Sequence, residues 1–172
     1  MGIRAALARP RTREVVGITL TGSAVMLVVA LATYSPGDPS FFTTTGRGAS
    51  NWIGPVGAQL SALLYALFGM AAWLVPLVLL AGAMRQVRGT RHHVRRGAVI
   101  GMCLVAVSTA LLLALTVGAI RFRGAELTAG GVLGDLLEAG LVALFGEIGA
   151  GIVTGTLMLA GLALSARSSL AE

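Results

Sequence analysis

The sequence contains no lysine, one cysteine and two histidines, and only 12% of its 172 residues are charged. Each shortage excludes something. A soluble globular chain averages about 25% charged residues, so an ordinary soluble enzyme and a charged disordered tail are both disfavoured. Without lysine there is no phosphate-loop nucleotide site, whose lysine reaches the β- and γ-phosphates, and no Schiff-base catalyst. A lone thiol, Cys103, leaves no internal disulfide framework and no multi-cysteine zinc site. His92 and His93 are adjacent rather than at metal-ligand spacing, with no carboxylate or thiol nearby to complete a site. No nucleophile, base and orienting group can be assembled anywhere in the chain, so neither catalysis nor a cofactor is expected.

What remains is apolar. Hydrophobic residues make up 56% of the chain, and the charges sit in clusters that leave long gaps. A bilayer core about 30 Å thick needs about 20 apolar residues of helix. Val15 to Tyr34 is one such stretch; 37 uncharged residues separate Arg47 from Arg85, 24 separate Arg96 from Arg121, and 19 separate Glu147 from Arg167. Helix is the element expected, because open strands would leave backbone groups unpaired in lipid. The first stretch also has the ingredients of a secretory signal, with an Arg-rich start and Ala30-Leu31-Ala32 as a small-residue cleavage site. Its length and the three spans that follow favour a retained helix.

Orientation follows from arginine asymmetry. Ten arginines fall on one side: Arg4, Arg9, Arg11, Arg13, then Arg85, Arg88, Arg91, Arg95, Arg96, and finally Arg167. Three fall on the other: Arg47, Arg121 and Arg123. Both termini and the middle loop are therefore expected in the cytoplasm. The middle arginines read as topology and anionic-lipid contacts rather than DNA contacts, since the loop is short and lacks interleaved aromatics.

A shift of 77 positions superimposes Gly54–Gly69 on Gly131–Gly146 with nine of sixteen residues identical, including Gly54/Gly131, Gly57/Gly134 and Gly69/Gly146. Such self-similarity points to a repeat, although membrane segments also converge on similar residues. The predicted fold is an all-α membrane protein of four transmembrane helices, arranged as two parallel-repeat helical hairpins. Short outer amphipathic helices lead into spans two and four, with Gly69 and Gly146 at the junctions. Leu133, Leu137, Leu141, Leu144 and Phe145 share one face of the second outer helix. The predicted organisation is a basic tail over 1–14, a transmembrane domain over 15–166 (spans near 15–34, 56–84, 97–120 and 139–166), and the start of a cytoplasmic tail or linker over 167–172.

Few side chains stand out as candidates. Glu147 is the one carboxylate near membrane depth. It could serve a proton path or a partner arginine, or simply contact water and headgroups. Gly97 with Gly101, and Gly151 with Gly155, are small-xxx-small pairs that let helices approach closely, within the bundle or between subunits. Cys103 reads as a packing residue, Trp52 and Tyr34 as interfacial aromatics, and Trp73 as a bilayer residue. Pro36, Gly37, Asp38 and Pro39 mark a rigid turn.

Several pieces together resemble the N-terminal membrane domain of the FtsK/SpoIIIE family of DNA translocases. They are YSPGDPSF at 34–41, Asn51, Gly54, Gly57, Ala58, ALFGMAAWLVP at 66–76, GGVLGD at 130–135 and LFGEIG at 144–149. The resemblance covers about Glu14 to Leu164. It implies a bacterial inner-membrane anchor at the division septum, assembly as a homo-oligomer, by analogy a hexamer, and contacts with other division proteins. Asp38, Gly97, Gly101, Glu147, Gly151 and Gly155 are then the candidate assembly or partner contacts. DNA would be engaged only through an ATPase motor that this sequence does not contain. Two rival readings use the same residues differently: a small transporter or channel subunit built on Glu147, and a stand-alone membrane scaffold.

Overall fold

The computed structural model describes residues 10–46, 48–87 and 96–170. Arg4, Arg9, Arg47, Arg88, Arg91, His92, His93 and Arg95 lie outside the described residues, as do the side chains of Arg11, Arg13, Arg96 and Arg167. Four helical runs are long and apolar enough to cross a membrane: Glu14–Ala32, Gly54–Gln86, Gly97–Val117 and Gly131–Ala166.

Helix α1 spans Pro10–Ala32. Proline suits its first position, because the missing N–H would have had no partner there. The second span is built in three pieces: α2 (Gly54–Phe68), a 3₁₀ turn (Gly69–Trp73) and α3 (Leu74–Val87). Pro55 opens α2, and Pro76 falls in the first turn of α3, where no intrahelical bond is lost. Helix α4 spans Arg96–Val117 and α5 spans Gly131–Leu170, the latter broken at Gly146 (φ 69°, ψ 174°). Hydroxyls within the spans are used internally: Thr19, Thr21, Thr109 and Thr154 each donate to the carbonyl four residues back. That satisfies a polar atom where no water is available.

The third span is shorter than the charge-free stretch implies. Gly118 (φ 64°) ends α4, and the chain turns into a two-stranded hairpin, β1 (Ala119–Phe122) and β2 (Ala125–Thr128). Phe122 pairs with Ala125, so the loop is the two residues Arg123 and Gly124, both with positive φ (50° and 86°). This is the mirror-image turn whose twist matches a hairpin.

Packing divides the bundle into two hairpins. Helix α1 packs on α3, and α4 packs on α5 over most of its length. Their inner surfaces are small: Ala24, Ala30, Ala83, Ala98, Ala110, Ala114 and Ala150 are all buried. Glycines set the closest approaches in the α4–α5 pair. A methyl group added at Gly134 would lie 2.6 Å from the Ala110 carbonyl oxygen, and one at Gly101 would lie 2.7 Å from that of Gly161. Large apolar side chains such as Ile18, Leu77, Ile100, Ile152 and Leu159 face outward. With lipid as solvent, close backbone packing rather than hydrophobic collapse holds helices together, which accounts for small residues inside and large ones outside.

The leucine face of the second outer helix follows the same logic. Leu137, Leu144 and Phe145 are exposed, while Gly131 and Gly134 make the protein contact. Leu133 and Leu141 are half-buried, so the stripe is only partly turned outward, and the bundle is joined there through glycine backbone.

Candidate functional site

Among the described residues, the hydrogen-bonded polar and aromatic side chains gather at the end of the bundle that carries the 33–53 segment and the β-hairpin. The segment begins with a turn in which the Asp38 N–H donates to the Ser35 carbonyl (3.1 Å), with Pro36 and Gly37 at its centre. The turn directs the Asp38 carboxylate inward, where it is only 5% exposed. One oxygen accepts from the Ser50 N–H (2.9 Å) and hydroxyl (2.6 Å), and the other accepts from the Asn51 N–H (2.9 Å). Burial opposes ionisation of Asp38, but these three donors outweigh it and hold the carboxyl below its usual pKa. Asn51 continues the chain of contacts. Its amide donates to the Ala30 carbonyl (2.8 Å) in the last turn of α1, and its Oδ1 accepts from the Ile53 N–H ahead of α2. The Asp38–Asn51 pair thus fastens a long loop to both helices it joins.

Beneath the loop lies an aromatic cluster. Tyr34 and Tyr65 have ring centroids 4.9 Å apart, and Phe122 of β1 lies 5.6 Å from Tyr65. The Tyr65 hydroxyl donates to the Leu31 carbonyl (3.2 Å) and accepts from Trp73 Nε1 (3.0 Å). Arg123 reaches from the hairpin turn to the end of α1, where its guanidinium donates to the Ala32 (2.7 Å) and Tyr34 (3.2 Å) carbonyls. A cation there also complements the negative end of the helix dipole. Arg123 and Phe122 therefore tie the second hairpin to the first.

The sequence candidates scatter around this assembly. Asp38 points into the loop, where its carboxylate is taken up by Ser50 and Asn51. Tyr34 is buried in the cluster, whereas Trp52 is 81% exposed. Gly69 and Gly146 lie at the breaks of the second and fourth helical runs, both with positive φ (56° and 69°). Gly101 packs against Gly161 inside the chain, while Gly97, Gly151 and Gly155 face open space. Glu147 is exposed beside the Gly146 bend. Cys103, read from sequence as a packing residue, is exposed. It lies about 200° round α4 from the packed Gly101. Arg85 ends α3, and Arg88, Arg91 and Arg95 are outside the described residues. Among the described residues no three of His, Cys, Asp or Glu gather where a metal could be held.

Two residues that matter here carry weak sequence signals. Arg123 precedes a glycine in a run of alternating apolar and polar residues, Ile120 to Leu127, which is a hairpin signature with arginine in place of asparagine or aspartate. Ser50 has no local signal, because its partner is twelve residues away.

Four apolar helices with small-residue interiors and a fastened loop at one end define a polytopic membrane domain. Residues 9–172 match the model of the 4TM region of DNA translocase FtsK/SpoIIIE, and the chain belongs to that family. The DNA translocase FtsK of Caulobacter vibrioides is 35% identical over 115 residues, covering 63% of this chain and 14% of the relative. Those of Azospirillum brasilense and Mesorhizobium japonicum are 30% and 31% identical, each over 91% of this chain, and the match spans 26% and 18% of their lengths. The chain thus corresponds to a membrane portion of much longer proteins, and the ATPase motor of the family is not within it. No solved structure matches it.

Proposed function

We propose that this domain anchors a cell-division DNA translocase in the bacterial inner membrane, assembles copies of it and recruits it to the septum. The observation that carries this reading is the family match over residues 9–172. Both termini would be cytoplasmic, as the ten-to-three arginine asymmetry favours, so that a motor joined after residue 172 would stand on the side of the chromosome. Assembly of several copies, six by analogy with the family, would raise the effective concentration of attached motors. The open glycines Gly97, Gly151 and Gly155 are the small-residue faces available for that contact.

The parallel-repeat reading is part of the proposal. Gly54 and Gly131 have φ of 71° and 65°, and Gly69 and Gly146 have φ of 56° and 69°. Positions related by the 77-residue shift thus share an uncommon backbone conformation. The rival reading of a channel or transporter built on Glu147 draws no such support, since Glu147 lies on the outward surface of α5.

The test is a fusion of this chain to a fluorescent protein beyond Glu172 in dividing bacteria. The expected result is fluorescence at mid-cell and protease resistance of the fusion in spheroplasts. Uniform membrane fluorescence would remove the recruitment role, and digestion from outside would reverse the orientation.

A further inference from the structure

The chain beyond Asp38 makes a tight turn tipped by two phenylalanines that the protein leaves uncovered. Ser40 and Thr43 face each other across it. The Ser40 N–H donates to the Thr43 carbonyl (2.9 Å), and the Thr43 N–H donates to the Ser40 carbonyl (3.2 Å). Phe41 and Phe42 stand at the tip, 73% and 63% exposed. The turn is held from its base, because the Asp38 carboxylate is bound by Ser50 and Asn51. A second exposed apolar set lies on the other arm of the same loop. Val56 and Leu60 are exposed one turn apart on α2, and the exposed Trp52 precedes them. The other face of α2, with Gly57, Ala58, Ser61, Ala62 and Tyr65, is buried.

Depth and charge say what these side chains meet. The 3₁₀ turn and α3 together measure about 31 Å, which by itself crosses a bilayer core of about 30 Å. Helix α2, which precedes them, therefore lies at the margin of the core on the loop side. The loop is tied to the same level. Asn51 donates to the Ala30 carbonyl (2.8 Å) and the Trp52 N–H to the Thr33 hydroxyl (3.2 Å), at the end of the Glu14–Ala32 span. Side chains that point away from the protein at this level meet headgroups and the first carbons of the acyl chains. Phe41 is three residues beyond Asp38, so its Cα lies within about 11 Å of that anchor. The charges suit a bilayer as well. Helix α2 carries no charged residue, and neither do residues 39–46. The Asp38 carboxylate, which lipid phosphates would repel, is buried against its donors. We propose that the Ser40–Thr43 turn inserts Phe41 and Phe42 into the leaflet that borders the loop, with Trp52 beside them at headgroup level.

The experiment attaches an environment-sensitive NBD label at Phe42→Cys in a Cys103→Ala chain. The chain is reconstituted in vesicles of phosphatidylethanolamine and phosphatidylglycerol. Two vesicle sets carry a nitroxide on the acyl chain, near the glycerol in one and near the terminal methyl in the other. Emission is expected to fall about twofold with the shallow nitroxide and less with the deep one, the order for insertion about 5–10 Å into the boundary. Phe41→Cys, labelled in the same way, gives the same order, so the test does not rest on one variant. Both leaflets carry the nitroxide, so the outcome is independent of which face is cytoplasmic, and failure here leaves the anchoring role untouched. Emission at the wavelength of the label in water, with no quenching by either nitroxide, overturns the proposal. So does blue-shifted emission that neither nitroxide quenches, because protein, a second copy included, would then cover the turn.

Discussion

Gly69 and Gly131 lie backbone to backbone, and neither position has room for a side chain. A methyl group on Gly69 would sit 2.6 Å from the Gly131 nitrogen, and one on Gly131 would sit 2.6 Å from the Leu67 carbonyl oxygen. The Met70 N–H completes the contact by donating to the Ala129 carbonyl (2.8 Å). Both glycines have positive φ, so an added side chain would meet backbone strain as well as overlap.

Gly69→Ala and Gly131→Ala are therefore expected to destabilise the domain strongly, by about 3 kcal/mol or more each. Gly54→Ala shares the strain (φ 71°) but has nothing within 4 Å of the added group, so about 1 kcal/mol is expected there. Thermal unfolding of the three variants in one detergent checks the ranking. Equal losses would mean that strain, not the contact between hairpins, is what matters.

Asp38→Ala leaves two N–H groups and a hydroxyl without their acceptor, at an expected cost of about 1–3 kcal/mol. The carboxyl has a folded pKa below its ordinary 3.8. Its stabilisation is thus complete above that ordinary value and is lost as pH falls through the lower folded one. Denaturation followed from neutral to acid pH should show a loss at the acid end that Asp38→Asn lacks.

Tyr65→Phe removes one hydroxyl, leaving the Trp73 indole N–H without its acceptor and the Leu31 carbonyl with the Tyr34 N–H as its donor. A loss of about 1–3 kcal/mol is expected. Trp73 emission should shift in the variant, whereas Trp52, exposed on the loop, is unaffected by the change. The reading fails if Tyr65→Phe leaves both stability and emission as they were.

Arg123 tests a balance of two effects. Arg123→Ala keeps the unfavourable positive φ and loses both helix-end hydrogen bonds, so about 1–2 kcal/mol is expected. Arg123→Gly loses the same bonds but relieves the backbone, and should fall nearer the parent chain. If the glycine variant is the less stable of the two, the capping role is misplaced.

The four spans were legible from charge spacing alone, because lipid tolerates few charges and the gaps between arginines are long. The breaks at Gly69 and Gly146 coincide with glycines that the internal similarity had already set apart. The loop end was harder to read. Asp38 was visible within a turn, but its partners Ser50 and Asn51 are far along the chain, and their identity depends on how the loop folds back. The β-hairpin was hidden by its apolar strands, which extend the charge-free stretch of α4 without a break in hydropathy. Cys103 shows the same limit: which way a side chain faces in an apolar helix depends on neighbours that local periodicity does not supply.

The Gly69–Gly131 contact has a mechanical consequence. A joint made of backbone has no rotamers to exchange, so the end of the bundle that holds it cannot loosen by small steps. At the opposite end the described residues form no such joint: α3 packs on α1 and makes few close backbone approaches to α4 and α5. The two hairpins are thus pinned to each other by backbone at one end of the bundle.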